Sequence, residues 1–511
     1  MERRDFIQMA VAACAHTAAP SRAAAPDPQQ ASVAQLCSQI ADGSLDAATL
    51  TAACLDRIKA IDQAGPMLRA VLTVNPEAGA IAAALDGKRR RGEPLGPLHG
   101  IPVVLKDNIA TGDTMPTTVG SLALDGVRCS RDAALVQRLR AAGAVILGKS
   151  NLSEWCNARS FNSIAGWSGK GGLTRNPHAL DRVCGGSSSG SAAAVAAGLV
   201  PLAIGTETDG SIVCPASICG LVGVKPTVGW SSLAGVLTIS DAQDAAGPLA
   251  RTVHDAALLL DAMASAPEAR PVAAQLRSGS LRGRRLGIAT EYLVRDAATR
   301  AVFAQALDVL KARGATLVEV RIPNRDRYGD SGMQLMVHGL KANLAAWLAE
   351  YPVEPPIRNL ADVIAFNKAH AAREMAHFGQ EVLEAIESRA LMSADAVQRA
   401  RATLRRYAAT EGMDAVLQKE RLDALVGTTS IPGWPSDPAR RQRPDSGFTS
   451  PAAAAGYPHV TVPAGHVGLL PVGLSFVGTT WSEAELMAMA YDFEQATQAR
   501  RAPRFAPAQA A

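Results

Sequence analysis

Two clusters of glycine and hydroxyl residues stand close together in an otherwise apolar run, Gly185-Gly-Ser187-Ser-Ser-Gly-Ser191 and Thr206-Glu-Thr-Asp-Gly-Ser211, within Val183 to Lys225. A serine hydroxyl becomes a nucleophile only when a base takes its proton, and glycines let main-chain N–H groups approach a reacting atom. The pattern therefore suggests a serine nucleophile in a site built from backbone amides. No histidine lies near either cluster in sequence; His99, His178 and His254 are those that folding could bring close. A lysine can replace histidine if it is neutral, which from a reference pKa of about 10.4 costs roughly 4 to 5 kcal/mol at pH 7 unless burial lowers that pKa. Lys106, at the end of the apolar run Ile101 to Leu105 and followed by Ile109, is placed for such burial. The candidates for chemistry are Lys106, Ser187 and Ser211.

Three other patterns compete. Gly143 to Ser150 fits the phosphate-loop spelling GxxxxGK[ST], but its middle, Ala144 to Leu147, is an apolar strand rather than a flexible loop. Gly186 to Gly190 matches GxSxG around Ser188, an elbow that must follow a strand; the preceding Asn176 to Cys184 contains Pro177, Asp181 and Arg182 and has no strand pattern. His370, Glu374 and His377 fall at i, i+4, i+7 of an expected helix, yet no second cluster completes a metal site, so they read as a polar helix face. Neither a metal nor an organic cofactor is expected.

Composition bounds the partners. With 48% hydrophobic and 19% charged residues over 511 positions, most of the chain is expected to fold. A net charge of +4, with no basic block interleaved with aromatics, argues against nucleic acid. After the N-terminus no run reaches the roughly 18 apolar residues of a membrane span. Residues 1–25 read as an export signal of twin-arginine type: Arg3-Arg4, the mild apolar run Met9 to Ala15, and Ala23 to Ala25 before Pro26. This predicts a periplasmic or secreted protein, with lipidation at Cys14 as a lesser alternative. Seven cysteines remain after that segment, an odd number with no CxxC pair, which argues against a full disulfide framework.

The elements that must position these residues alternate. Helical periodicity covers Ser32 to Ala64 in two short pieces and Ala78 to Arg91, giving an N-terminal helical region over 26–95. From 96 to 511 strands and helices follow one another: strands Ile101–Leu105, Ala144–Leu147, Leu286–Ala289, Thr316–Val320, Leu422–Val426, Val460–Val462 and Leu474–Val477, and helices Asp132–Ala142, Ser187–Leu199, Val253–Met263, Ala301–Arg313 and Glu483–Ala499. This order predicts an α/β fold with a large mixed, mainly parallel twisted sheet covered by helices on both faces. Long helices at Met333–Glu350 and Leu360–Glu387, with Ser393–Met413, interrupt the alternation as a helical cap-like segment around 333–413. The part of that cap at 333–387 and the loop Thr428 to Gly456 are expected to set specificity.

With these motifs in this order the chain resembles the amidase signature family, from about residue 30 to 500. The resemblance rests on Gly96-Pro-Leu-His-Gly-Ile-Pro-Val-Val-Leu-Lys106-Asp-Asn, on Gly185-Gly-Ser187-Ser-Ser-Gly-Ser, and on Gly205-Thr-Glu-Thr-Asp-Gly-Ser211-Ile. Gly456-Tyr-Pro-His-Val-Thr-Val-Pro and Pro471-Val-Gly-Leu-Ser-Phe-Val-Gly add to it. It implies Ser211 as nucleophile, Ser187 in a cis linkage after Gly186 as the bridging serine, and Lys106 as the final base. The main-chain N–H groups of Thr208, Asp209, Gly210 and Ser211 would form the oxyanion hole. The implied activity is hydrolysis of a carboxamide to a carboxylate plus ammonia or an amine through an acyl-enzyme on Ser211. Many family members carry an arginine where Val213 stands, which argues against a tRNA-dependent amidotransferase role. Thr206 to Pro215 and Asp362 to Gln380 look more like the peptide-amidase branch, which acts on C-terminally amidated peptides. The alternatives are an aryl or alkyl acylamidase or an esterase of the same family and, in another class, a catalytically silent binding protein with this fold.

Overall fold

The computed structural model describes residues 31–352, 356–437 and 447–507. The segment 1–25 expected to be an export signal, with Arg3, Arg4 and Cys14, lies outside the described residues. The strands are β1 (Val71–Val74), β2 (Pro102–Lys106), β3 (Val145–Ser150), β4 (Trp167–Ser168), β5 (Gly172–Leu173), β6 (Leu202–Glu207), β7 (Val222–Lys225), β8 (Ala245–Ala250), β9 (Arg285–Ala289), β10 (Thr316–Val320), β11 (Ala424–Thr428), β12 (His459–Val467) and β13 (Leu470–Val477). β4 and β5 form a small antiparallel pair. The other eleven make one mixed sheet in the order β1-β3-β2-β6-β8-β7-β12-β13-β11-β9-β10.

Parallel pairing occupies two wings, β3-β2-β6 and β11-β9-β10. Between them the sheet runs antiparallel from β6 through β8, β7, β12 and β13 to β11. The strand and helix alternation read from the sequence thus describes the wings, and the centre departs from it. The centre is antiparallel because β12 and β13 form a tight hairpin over Gly468 (φ +60°) and β8 enters between β6 and β7. β2, β3, β6, β7, β8 and β11 are buried at every residue, so both faces of the sheet are covered.

β8 escapes sequence reading because it is built of Ala and Gly around Pro248, features depleted in strands, and β6 and β7 because each is short and interrupted by a glycine, Gly205 and Gly223. The β7–β8 ladder stops at Gly223 and Leu249, where the next β8 residue is Pro248, which has no N–H to give. Gly247 is needed beside it: a Cβ there would lie 1.9 Å from the Val224 carbonyl oxygen.

The expected single helix Leu360–Glu387 is three pieces, Leu360–Ala369, Ala371–Glu374 and Glu381–Glu387. Side-chain contacts override its helical periodicity. Phe378 turns inward to pack with Ile164 and Trp167, and Gln380 is buried, bonded to Asn367 Nδ2 at 3.0 Å and to the Ile364 carbonyl at 3.1 Å. The neighbouring helix begins earlier than periodicity indicates and spans Arg325–Glu350. Among the described residues no helix is long and apolar enough to cross a membrane, and all seven described cysteines are unpaired.

Candidate active site

β2 ends on Lys106, wholly buried between β3 and β6. Its register against β6 pairs Leu105 with Ile204, which brings the lysine alongside Thr206. Lys106 Nζ lies 2.6 Å from Ser187 Oγ, 2.9 Å from the Thr206 carbonyl oxygen and 2.9 Å from Thr206 Oγ1. Asn108 Nδ2 donates to Thr206 Oγ1 at 3.1 Å and to the Leu237 carbonyl at 2.9 Å, holding that threonine in place. Burial pushes the Lys106 pKa down from its ordinary value, opposed by charge from Asp244 and Glu207.

Ser187 sits in the loop before the all-buried helix Ser189–Ala196. Gly185 and Gly186 both have positive φ, +70° and +54°. A Cβ on the first would lie 2.3 Å from Ile218 Cδ1 and on the second 2.4 Å from Pro215 Cδ, so the loop packs against helix Val213–Ile218 only because both are glycine. Ser188, named by the GxSxG spelling, is structural: its hydroxyl is wholly buried and donates to the Thr206 carbonyl at 3.1 Å, and its N–H donates to the Ser211 carbonyl at 3.1 Å. That last bond draws the Ser187 and Ser211 loops together.

Two carboxylates missed in the sequence shape the turn from Thr208 to Ser211. Glu207 accepts from the N–H groups of Ile212 at 2.7 Å and Val213 at 3.0 Å, and Asp244 accepts from Thr208 Oγ1 at 2.6 Å and from Ile239 N–H at 2.6 Å. Asp209 accepts from Ser450 Oγ at 2.7 Å. The N–H groups of Asp209, Gly210 and Ser211 have no acceptor among the described residues. Thr208, Asp209, Gly210, Ser211 and Ser187 all line one cavity of about 700 Å³.

Cys156 also lines this cavity, presented by three successive left-handed residues, Trp155, Cys156 and Asn157 (φ +51°, +51° and +75°). Burial pushes its thiol pKa up, opposed by the charge of Lys106. No sequence signal marks it.

Glu374 corrects the reading of a solvated polar helix face. It is wholly buried and shares Arg159 with Glu154: Arg159 Nη1 lies 2.7 Å from Glu154 Oε1 and 3.4 Å from Glu374 Oε2. Glu374 also accepts from Leu122 N–H at 2.7 Å, and the guanidinium stacks over Trp167 and Phe378. Burial pushes the Glu154 pKa up to about 8, with the charge of Glu374 adding to the rise. His370 points elsewhere, stacked on Phe366, and His377 meets the edge of Trp167.

The other residues singled out by the sequence have structural surroundings. Val145–Ser150 is strand β3, with Lys149 buried against the Ile109 carbonyl and Thr117 Oγ1. His99 bonds the Leu85 carbonyl, His178 bonds the Cys219 carbonyl, and His254 lines a separate cleft with Arg251 and Glu494. Among the described residues no group of three or more His, Cys, Asp or Glu could hold a metal ion.

The fold and this arrangement belong to a known class: a profile described as Amidase matches residues 49–487, and the chain is a member of that family. A peptide amidase from Stenotrophomonas maltophilia is 47% identical, with a TM-score of 0.89 over 93% of this chain and 99% of that one. A probable amidase of Arabidopsis thaliana is 39% identical over 473 residues, 88% of this chain and 87% of its own. A putative amidase of Arthroderma benhamiae is 34% identical over 489 residues, 86% of this chain and 78% of its own.

Proposed function

We propose that the protein is a serine amidase in which Ser211 is the nucleophile, Ser187 the proton bridge and Lys106 the base, and that its substrates are C-terminally amidated peptides. The observation that carries this is the buried Lys106 Nζ 2.6 Å from Ser187 Oγ, in a cavity that Ser187 and Ser211 both line. A neutral amine has two protons and one lone pair. The two protons serve the carbonyl and hydroxyl oxygens of Thr206, which leaves the lone pair for the Ser187 proton.

In the acylation step the Ser211 oxygen attacks the amide carbon as its proton passes to Ser187 and the Ser187 proton passes to Lys106. Charge develops on the carbonyl oxygen, where the unengaged N–H groups of Asp209, Gly210 and Ser211 are available to receive it, typically worth about 3 kcal/mol per donor. The proton returns through Ser187 to the nitrogen, the C–N bond breaks, and ammonia leaves; water then releases the carboxylate from Ser211 by the same relay. The peptide-amide substrate class is supported by the likeness to the peptide amidase and by an apolar cavity large enough for a peptide side chain.

The test is direct. Ser211→Ala abolishes both labelling by a fluorophosphonate and release of ammonia from peptide amides, while Lys106→Ala lowers turnover by orders of magnitude. Full labelling and turnover in the Ser211 variant would falsify the assignment.

A further inference from the structure

Resting on the amidase reading above, we infer that Arg389 selects substrates whose acyl part carries a carboxylate on the residue before the amidated one, or on the next residue back. Two helices wall the cavity on its apolar side. Met333, Met336, Val337 and Leu340 project from helix Arg325–Glu350 at i, i+3, i+4, i+7. Facing the same cavity, Val382 and Ile386 project from helix Glu381–Glu387, and Arg389 continues their stripe just past the helix end.

Along this wall Arg389 is the one cation that lines the cavity among the described residues, and Asp209 the one carboxylate. Asp209 belongs to the turn beside Ser211 and is already bonded to Ser450. Arg389 has no ion-pair partner among the described residues: neighbouring Glu387 is taken by Lys341 at 3.1 Å and Glu384 by Lys368 at 2.9 Å. Its backbone is nonetheless fixed. Lys341 Nζ donates to the Glu387 carbonyl at 2.7 Å and to the Arg389 carbonyl at 3.1 Å, which staples the end of one wall helix to the other. A guanidinium on a fixed backbone, at the end of an apolar stripe and without a counter-ion, suits a ligand that is apolar near the reacting bond and anionic farther out.

The spacing sets where the anion falls. From Val382 to Arg389 is seven residues, about 10 Å of wall at helical rise. An extended peptide covers that in about three residues. With the amidated residue seated against the methionines and Val382, a glutamate one or two residues before it falls at the guanidinium.

The experiment measures kcat/KM at neutral pH on two matched pairs, acetyl-Glu-Leu-amide against acetyl-Gln-Leu-amide and acetyl-Glu-Ala-Leu-amide against acetyl-Gln-Ala-Leu-amide. The wild-type protein is expected to favour the glutamate member of at least one pair by roughly 3- to 10-fold, chiefly through KM, with the preference shrinking as salt is added. Arg389→Gln brings that ratio to about one, and Arg389→Lys retains part of it. No preference in either pair, or a ratio unmoved in Arg389→Gln, overturns the inference. Absence of turnover on all four while Ser211 still takes a fluorophosphonate also overturns it. Absence of both turnover and labelling overturns the amidase reading instead.

Discussion

Lys106 is one of three wholly buried lysines at or near strand ends, with Lys149 and Lys225. Burial pushes all three pKa values down, that of Lys225 to about 8, yet their surroundings divide their roles. Lys149 is spent on the Ile109 carbonyl and Thr117 Oγ1, and Lys225 is opposed by the charges of Glu207 and Glu483. Lys106 alone among them meets a hydroxyl that lines the cavity. As the base form is the deprotonated one, kcat/KM is expected to fall as pH drops through the lowered Lys106 pKa. Asp244, whose own pKa is pushed up to about 6 by burial, favours the lysinium when ionised. Asp244→Asn therefore moves the acid limb to lower pH, whatever it does to the maximal rate. A limb that stays in place or moves upward, read from the pH profile of kcat/KM, would contradict this coupling.

At the scale of elements, the Glu154–Arg159–Glu374 cluster joins parts of the chain more than 200 residues apart. Glu154 opens the left-handed turn that carries Cys156 to the cavity floor, and Glu374 belongs to the segment whose continuation, Val382 and Ile386, forms a cavity wall. Arg159 thus ties floor to wall. Replacing it by methionine leaves two buried carboxylates facing one another, and loss of one partner from a buried charge cluster typically costs about 3 to 5 kcal/mol. Arg159→Met is expected to lose stability on that order in denaturant unfolding, with faster amide exchange over 360–387. A loss below about 1 kcal/mol would show that the cluster carries little of the cap's attachment.

For the whole molecule, stability against acid is set partly by histidines held neutral. Burial pushes the His459 pKa down to about 3, with Lys225 adding to the drop, and burial takes His178 to about 4. Their folded values lie below the unfolded value of about 6.5, so below that pH the unfolded chain binds more protons and stability falls as pH falls, by up to about 1.4 kcal/mol per pH unit for each group. Asp62 and Glu494, pushed up by burial to about 6 and about 7, act with the opposite sign, favouring the folded state as pH falls from about 7 toward their unfolded values. His459→Gln isolates one contribution: as pH falls from about 6.5 to 4, its unfolding free energy should rise relative to that of the wild type, because the variant no longer bears the cost of a histidine held neutral. Equal slopes would mean that His459 is not held neutral in the fold.

The sequence by itself determined the three residues proposed for chemistry, the glycines that let their loops approach, and the elements with strong periodicity, such as helix Val253–Met263 and strand β10. These are local properties: residue type, spacing and the conformational freedom of glycine. Only the tertiary structure decided the rest. It placed Lys106 against Ser187 across 81 positions, turned Glu374 from an apparent surface residue into a buried partner of Arg159, and broke the helix 360–387 to seat Phe378. It also completed the antiparallel centre of the sheet with β8, a strand of Ala, Gly, Pro and Leu with little β propensity of its own. In each case the deciding energy came from desolvation and from contacts between residues far apart in the chain, which no window of sequence contains.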